Sequence, residues 1–233
     1  MKLLCTICMR GGSKGVKNKH LKKINGKPLL WYTINQALES KLFYKICIST
    51  DSTSIAKSSM EAGADKVFIR NKKMALDDTP KLPVIRSAFK QAEKIYKVKF
   101  DTLIDLDATS PLRTIKDIKD SYKLFVKNKS INLISVCMSK KNPYYNIVEY
   151  KKNKLSISKL NKKIPDSRQQ NPITYDMNAS IYIWNRDTIL KYDDLFFKKT
   201  SIFLMPEERS IDIDSKLDFK IVKFLMENNK DVK

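Results

Sequence analysis

Short apolar runs alternate with amphipathic segments along most of the chain. Leu3 to Cys8 is a continuous apolar run of strand length. Lys45 to Ser49, Lys66 to Ile69, Thr102 to Asp107 and Leu133 to Met138 repeat that signal. Between them lie segments with helical spacing. Pro28 to Ser40 opens on a proline and carries Leu30, Ile34, Ala37 and Leu38 on one side; Thr53 to Ala62 stops at Gly63; Leu82 to Tyr96 and Ile115 to Val126 follow. This β-α-β-α order predicts an α/β fold, a mostly parallel sheet with helices on both faces. In such sheets the ligand crevice lies beyond the carboxyl ends of the strands. Residues 10–15, Asp51, Arg70 and the turn from Asp107 to Arg113 all follow predicted strand ends, so they are expected to converge on one edge.

The pattern breaks between about Ser139 and Tyr175, where Pro143, Pro165 and Pro172 punctuate the chain. Within that stretch Tyr145 to Ile157 alternates like a hairpin turning near Asn153. We expect a single domain over residues 1–233, with 139–175 protruding as a lid or dimerisation arm. Strands return at Ser180 to Trp184 and Ser201 to Met205. Ile211-Asp212-Ile213-Asp214 then leads to a closing helix from Leu217 to Met226, with Leu217, Ile221 and Leu225 aligned.

Composition narrows the function classes. The 233 residues are 42% hydrophobic, enough for a core and too many for disorder. The formal net charge is +21, and only seven of the 46 basic residues are arginine. The lysines spread along the whole chain, whereas a nucleic-acid binder more often gathers basic and aromatic residues on one element. A basic nucleic-acid-binding protein is therefore the second reading, behind an enzyme whose charge steers acidic ligands. Cys5 and Cys8 form a C-x-x-C inside a strand-like run, where an offset of three puts them on opposite faces, so neither zinc nor redox chemistry is expected. The run before Arg10 is too short for a signal peptide or membrane span, which leads us to expect a cytoplasmic protein without membrane contact.

Three of the five glycines fall in Arg10-Gly11-Gly12-Ser13-Lys14-Gly15, directly after the first apolar run. Glycine lets backbone N–H groups approach an anion, and the flanking Arg and Lys neutralise it, which describes a phosphate cradle. Neither a Walker motif nor Gly-x-Gly-x-x-Gly can be drawn through it. Asp212 and Asp214 point to one face of an extended segment while Ile211 and Ile213 point to the other. Paired carboxylates beside a phosphate loop suit Mg²⁺; equally, Asp214 or Ser215 is placed to cap the last helix. Asp105 and Asp107 share the same spacing and compete for the metal role. Thr109-Ser110-Pro111-Leu112-Arg113 is a turn into a helix whose hydroxyls and arginine can hold a ligand. Arg168-Gln169-Gln170 and Asn178 sit at the edges of the excursion, and His20 is the only histidine.

Taken together, these segments resemble the CMP-sialic acid synthetases, the acylneuraminate cytidylyltransferases, over nearly the whole chain. The family's Arg-x-x-Ser-Lys-Gly loop and Lys-Asn pair are matched by Arg10, Ser13, Lys14, Gly15 and Lys19, with His20 in place of Asn. Its Arg and Asp-Thr segment is matched by Arg70, Asp77 and Thr79, its Thr-Ser-Pro-Leu-Arg turn by Thr109 to Arg113, and its Arg-Gln-Gln by Arg168 to Gln170. Its Asn-Gly/Ala-x-Ile-Tyr strand is matched by Asn178 to Tyr182, and its Ile-Asp-Ile-Asp segment by Ile211 to Asp214. Asp107 and Asp176 stand where sialic acid enzymes usually carry an amide and an arginine, and in this the chain looks like the branch that activates legionaminic acid. The related Kdo cytidylyltransferases differ in the opening loop and the middle motif.

The resemblance implies a Rossmann-like, GT-A-like nucleotidyltransferase fold and a cytoplasmic homodimer whose arm crosses to the neighbour. The implied reaction moves CMP from CTP to a nine-carbon 2-keto acid sugar, most simply N,N'-diacetyllegionaminic acid, with N-acetylneuraminic or pseudaminic acid as alternatives. It assigns Arg10, Gly11, Gly12, Ser13, Lys14, Lys19, His20, Arg70 and Thr79 to CTP. It assigns Asp107, Thr109, Ser110, Arg113, Arg168, Gln169, Asp176 and Asn178 to the sugar. Asp212 and Asp214 would hold Mg²⁺, or Mn²⁺, and act in catalysis with Arg10 and Lys19.

Overall fold

The computed structural model describes residues 1–76, 78–151, 153–159 and 171–228. Its main sheet has seven strands in the order β11-β7-β10-β6-β1-β4-β5. These are β1 (Leu3–Cys8), β4 (Lys45–Thr50), β5 (Lys66–Ile69), β6 (Thr102–Leu106), β7 (Asn132–Met138), β10 (Tyr175–Asn185) and β11 (Thr200–Leu204). Every pairing is parallel except those of β10, which runs antiparallel between β6 and β7. The sheet is thus mostly parallel, as the alternation predicts. The central antiparallel strand is a departure, and β10 is also longer than the segment predicted. Its first residues, Tyr175 to Met177, are exposed, and its register shifts between Met177 and Tyr182 with Ala179 at φ 54°. The bulge breaks the period-2 pattern that marks a strand in sequence.

Strand alternation builds two cores. Leu3, Cys5 and Ile7 of β1, Ile46 and Ile48 of β4, and Ile104 and Leu106 of β6 face one side. There they meet α1 (Leu29–Ser40), α2 (Thr53–Glu61) and α4 (Ile115–Lys127) through Leu30, Ile34, Ile55, Ile118 and Phe125. Leu4, Cys47, Leu103, Tyr182 and Trp184 face the other side, against α3 (Lys81–Tyr96) and α5 (Arg186–Lys191). Each fully buried large side chain of these cores, such as Trp184, Phe89 or Phe100, contributes about 1.5–3 kcal/mol. Cys5 and Cys8 fall on opposite faces, and all four cysteines are free.

A third cluster positions the site. Val16, Ile24, Leu29, Tyr32, Leu112 and Ile213 pack with Val222 and Met226 of α6 (Lys216–Asn228). The stripe that α6 buries is therefore Val222 and Met226; Leu217 is 64% and Ile221 40% exposed, contrary to the alignment read from sequence. A short hairpin, β2 (Lys23–Ile24) and β3 (Lys27–Pro28), links the glycine loop to α1. Within the excursion, β8 (Val148–Lys151) and β9 (Lys154–Ile157) pair antiparallel in their own two-stranded sheet, with Asn153 at the turn in a left-handed conformation, φ 61°. Among the described residues no helix is long and apolar enough to cross a membrane.

Candidate active site

The loops after β1, β5 and β6 and the segment before α6 enclose a cleft of about 310 Å³ at the carboxyl edge of the sheet. Arg10, Ser13, Lys14, Gly15, Lys19, His20, Arg70, Thr79, Asp107, Thr109, Asp212 and Asp214 all line it. Residues from Arg10 to Asp214 thus meet in one cavity, as strand-end convergence predicts.

The glycine loop is anchored on two sides. Gly11 N–H donates to Asp51 Oδ1 at 2.9 Å, and Arg70 Nη2 lies 3.9 Å from the same oxygen. Gly15 packs against the acidic segment: a Cβ there would sit 1.9 Å from the Asp214 carbonyl oxygen. Only glycine fits this approach. Gly12 has open space around its Cβ position, a Cβ on Gly11 would lie 3.0 Å from Ser52 Cβ, and neither residue lines the cleft. Lys19 braces the opposite strut, donating from Nζ to the Ile213 carbonyl and pairing with Asp214 Oδ1 at 3.2 Å.

The acidic segment is fixed by its own contacts. Ile213 N–H donates to the Thr109 carbonyl at 3.0 Å. Upstream, Arg209 makes a two-pronged bond to Asp117 at 2.9 and 3.0 Å, and Asp117 also closes the capping box of α4. Downstream, Asp218 accepts from the N–H groups of Asp214 and Ser215, while Ser215 Oγ accepts from the Asp218 N–H. Ser215, not the Asp214 side chain, therefore caps α6. The Asp212 Oδ1 atom is buried without a hydrogen-bond partner. Burial pushes the Asp212 carboxyl up to about 6, and Asp107 adds repulsion.

Two carboxylates, one with an orphaned oxygen, fit a magnesium ion, which takes one or two carboxylates and completes its shell with phosphate oxygens and water. Among the described residues no group of three or more His, Cys, Asp or Glu side chains is arranged to hold a metal, so substrate would have to supply ligands. The competing Asp105 is fully buried, does not line the cleft, and accepts from Thr6 Oγ1 at 2.7 Å.

His20 is only 5% exposed, so it is a buried wall residue and not a surface one; its Nδ1 has no partner. Burial lowers it to about 4, Asp107 pulls it back up, and Lys19, Arg70 and Arg10 push it further down. It is a neutral imidazole at pH 7.

Several expected sugar ligands lie elsewhere. Arg113 is 1% exposed and donates to the Ser180 carbonyl at 2.7 Å, to Ser180 Oγ and Thr33 Oγ1 at 3.1 Å, and to Gln36 Oε1 at 3.2 Å. It ties β10, α1 and the 109–113 turn together as scaffold, in place of the expected open carboxylate clamp. Asn178 is also buried scaffold, accepting from Ser135 Oγ at 2.6 Å and donating to Ser210 Oγ at 2.9 Å. Ser110 is fully buried off the cleft, and Asp176 is exposed on β10 outside it, where β7 pairing places it opposite Cys137. Arg168, Gln169 and Asp77 lie outside the described residues.

Sequence reasoning missed Lys81, the first residue of α3. Its Nζ lies 2.8 Å from Asp107 Oδ2, 3.3 Å from Asp105 Oδ2 and 5.0 Å from the Tyr182 ring centroid. Burial alone would lower Lys81, but Asp107 and Asp105 outweigh it and raise it. Burial would likewise raise Asp107, yet Lys81 and the Thr109 hydrogen bonds hold its carboxyl well below the usual range.

The chain has counterparts among known proteins along nearly its whole length. The CMP-N,N'-diacetyllegionaminic acid synthase of Campylobacter jejuni is 51% identical over 224 residues, 96% of this chain and 94% of that protein. The post-translational flagellin modification protein B of Campylobacter coli is 48% identical over the same shares. The solved CMP:2-keto-3-deoxy-manno-octonic acid synthetase, complexed with CTP, shares the fold at a TM-score of 0.71 and 16% identity, covering 97% of this chain and 99% of that one. The cytidylyltransferase profile matches residues 4–232, and the chain belongs to that family.

Proposed function

We propose that this enzyme transfers CMP from CTP to N,N'-diacetyllegionaminic acid and releases pyrophosphate. The observation that carries the reading is the contact between the phosphate loop and the acidic segment at Gly15 and Asp214. It brings Arg10, Lys14, Lys19 and Arg70 around the same cavity as Asp212. A triphosphate there has its charge neutralised by these cations. The anomeric hydroxyl of the sugar attacks the α-phosphorus, and the bond to the departing pyrophosphate breaks in line. Positioning and charge neutralisation supply most of the rate enhancement in such a transfer.

Asp212 and Asp214 would hold a magnesium ion, which when bound offsets charge on the phosphate oxygens. Lys19 fixes Asp214, and Arg209 and Ile213 fix the backbone around Asp212. Neutral His20 forms part of the cleft wall without adding charge beside the nucleotide. Thr109 and Asp107 form the wall on which the sugar would lie. The choice of sugar rests on the 51% identical relative and on Asp107, a carboxylate where sialic acid enzymes usually carry an amide. The 28% identical pseudaminic acid cytidylyltransferase of Campylobacter jejuni makes that sugar the comparison of interest.

The reading includes a homodimer in the cytoplasm, where CTP is available. Val148, Tyr150 and Leu155 on the β8–β9 hairpin are 55%, 77% and 55% exposed, an apolar surface suited to a second copy. Pyrophosphate release with CTP and each of the diacetyllegionaminic, N-acetylneuraminic and pseudaminic acids tests the assignment. The first should give the highest kcat/KM; an equal or higher value for either of the others would refute the sugar and leave cytidylyl transfer standing.

A further inference from the structure

Lys81 sits where two cavities meet. It lines the nucleotide cleft, and it lines an adjoining pocket of about 200 Å³ walled by Leu82, Ile85, Tyr182, Trp184 and Leu195. Its place is rigidly set. It follows Pro80 at the first turn of a helix whose Leu82, Ile85 and Phe89 are core residues, and its ammonium lies over the Tyr182 ring.

The hydrogen-bond accounting at Asp107 is nearly closed. A carboxylate offers about four acceptor sites. Oδ1 takes two donors from Thr109, the backbone N–H at 3.0 Å and Oγ1 at 2.7 Å. Oδ2 takes Lys81 Nζ at 2.8 Å. One lone pair of Oδ2 remains on a residue that lines the cleft. The charge is largely offset at Asp107 as well, where Lys81 Nζ lies nearer than it does to Asp105. Without Lys81 this wall would present the Asp107 carboxylate, with Asp105 buried off the cleft, to a sugar that itself carries a carboxylate, and like charges repel. With Lys81 in place the wall keeps an acceptor and loses most of its repulsion. An acceptor beside an apolar pocket is complementary to a secondary acetamide, whose N–H donates and whose methyl group is apolar.

We propose that Lys81 is a positioning residue that sets sugar selectivity, holding Asp107 so that its remaining Oδ2 lone pair receives an acetamido N–H of the sugar. This rests on the cytidylyl-transfer reading above. At the carbon that bears the second acetamido group of N,N'-diacetyllegionaminic acid, N-acetylneuraminic acid carries a hydroxyl, which can donate but brings no methyl group to the adjoining apolar pocket.

The test compares the parent with Lys81→Gln and with Lys81→Gln/Asp107→Asn, the double variant removing both partners of the pair so that no lone Asp107 charge is left in the wall. KM for CTP, KM for each sugar and the ratio of kcat/KM for diacetyllegionaminic over N-acetylneuraminic acid are measured at saturating co-substrate. We expect Lys81→Gln to raise KM for diacetyllegionaminic acid by about tenfold or more, with KM for CTP within about threefold, and the selectivity ratio to fall by about tenfold or more in both variants. A role limited to holding the fold would depress use of both sugars alike. An unchanged selectivity ratio in the double variant, or equal rises in both KM values for Lys81→Gln, would overturn the inference while the parent's activity keeps the transfer reading. A parent that forms no CMP-sugar would overturn both.

Discussion

Gly15→Ala probes the contact on which the site is built. A Cβ at residue 15 would lie 1.9 Å from the Asp214 carbonyl oxygen and 3.1 Å from its carbonyl carbon. Both atoms are backbone, so no side-chain rotation relieves the clash. Bringing the oxygen to 3.0 Å, the shortest separation that real Cβ atoms tolerate, requires the loop and the acidic segment to part by about 1.1 Å. Ile213 N–H is bonded to Thr109 and Asp218 holds the Asp214 and Ser215 N–H groups, so the 212–215 segment resists and the glycine loop must yield. A shift of about 1 Å between catalytic elements can cost on the order of 10²-fold in turnover. The strain should lower stability by about 1–3 kcal/mol. Gly12→Ala is the control, since nothing lies within 4 Å of its Cβ position. Steady-state pyrophosphate release and urea unfolding of both variants give the answer. If Gly15→Ala turns over within about threefold of the parent while Gly12→Ala does the same, the loop and the acidic segment do not act as one unit and the reasoning fails.

Four further outcomes are expected. Asp212→Asn should reduce turnover in excess Mg²⁺ by on the order of 10²-fold or more while Asp105→Asn, which removes a buried charge off the cleft, should act chiefly on stability; comparing kcat with urea midpoints separates them. Arg113→Met leaves the Ser180 carbonyl, Thr33 and Gln36 without their donor, so it should cost about 3 kcal/mol or more of stability, and a selective rise in sugar KM without a shift in the urea midpoint would restore Arg113 to the substrate site. His20 titrates at about 4 in the fold against 6.5 when unfolded, so the native state binds fewer protons between these values and stability falls as pH drops through that window. By pH 5 the loss relative to pH 7.5 should reach about 2 kcal/mol beyond that of His20→Asn, read from urea midpoints. Tyr150→Glu with Leu155→Glu should convert a dimer to a monomer in light scattering; a parent that is monomeric and fully active at micromolar concentration would contradict the arm's role.

The parallel core and the place of the glycine loop at the cleft were legible because their signals are local. Short apolar runs and three clustered glycines need no knowledge of distant residues. The antiparallel β10 was half legible: its buried residues Ile181 to Trp184 read as a strand, whereas the bulge at Ala179 and the exposed Tyr175 to Met177 carry no period. Arg113 was misread because an arginine after a turn looks solvent-facing until the partners Thr33, Gln36 and Ser180 are brought to it from 67 to 80 residues away. Lys81 gave no signal among so many lysines. The nearest thing to one was the Asp105 and Asp107 pair, since two same-face carboxylates at the end of a buried strand require a counter-charge.

Attack by the sugar's anomeric hydroxyl is the step most directly open to measurement. Diacetyllegionaminic acid carrying ¹⁸O in its anomeric hydroxyl, incubated with CTP, Mg²⁺ and enzyme, should yield CMP-sugar that retains the label and pyrophosphate that contains none, in equal amounts by mass spectrometry. Unlabelled CMP-sugar, label in pyrophosphate, or CTP left intact would contradict attack of the sugar hydroxyl on the α-phosphorus in this cleft.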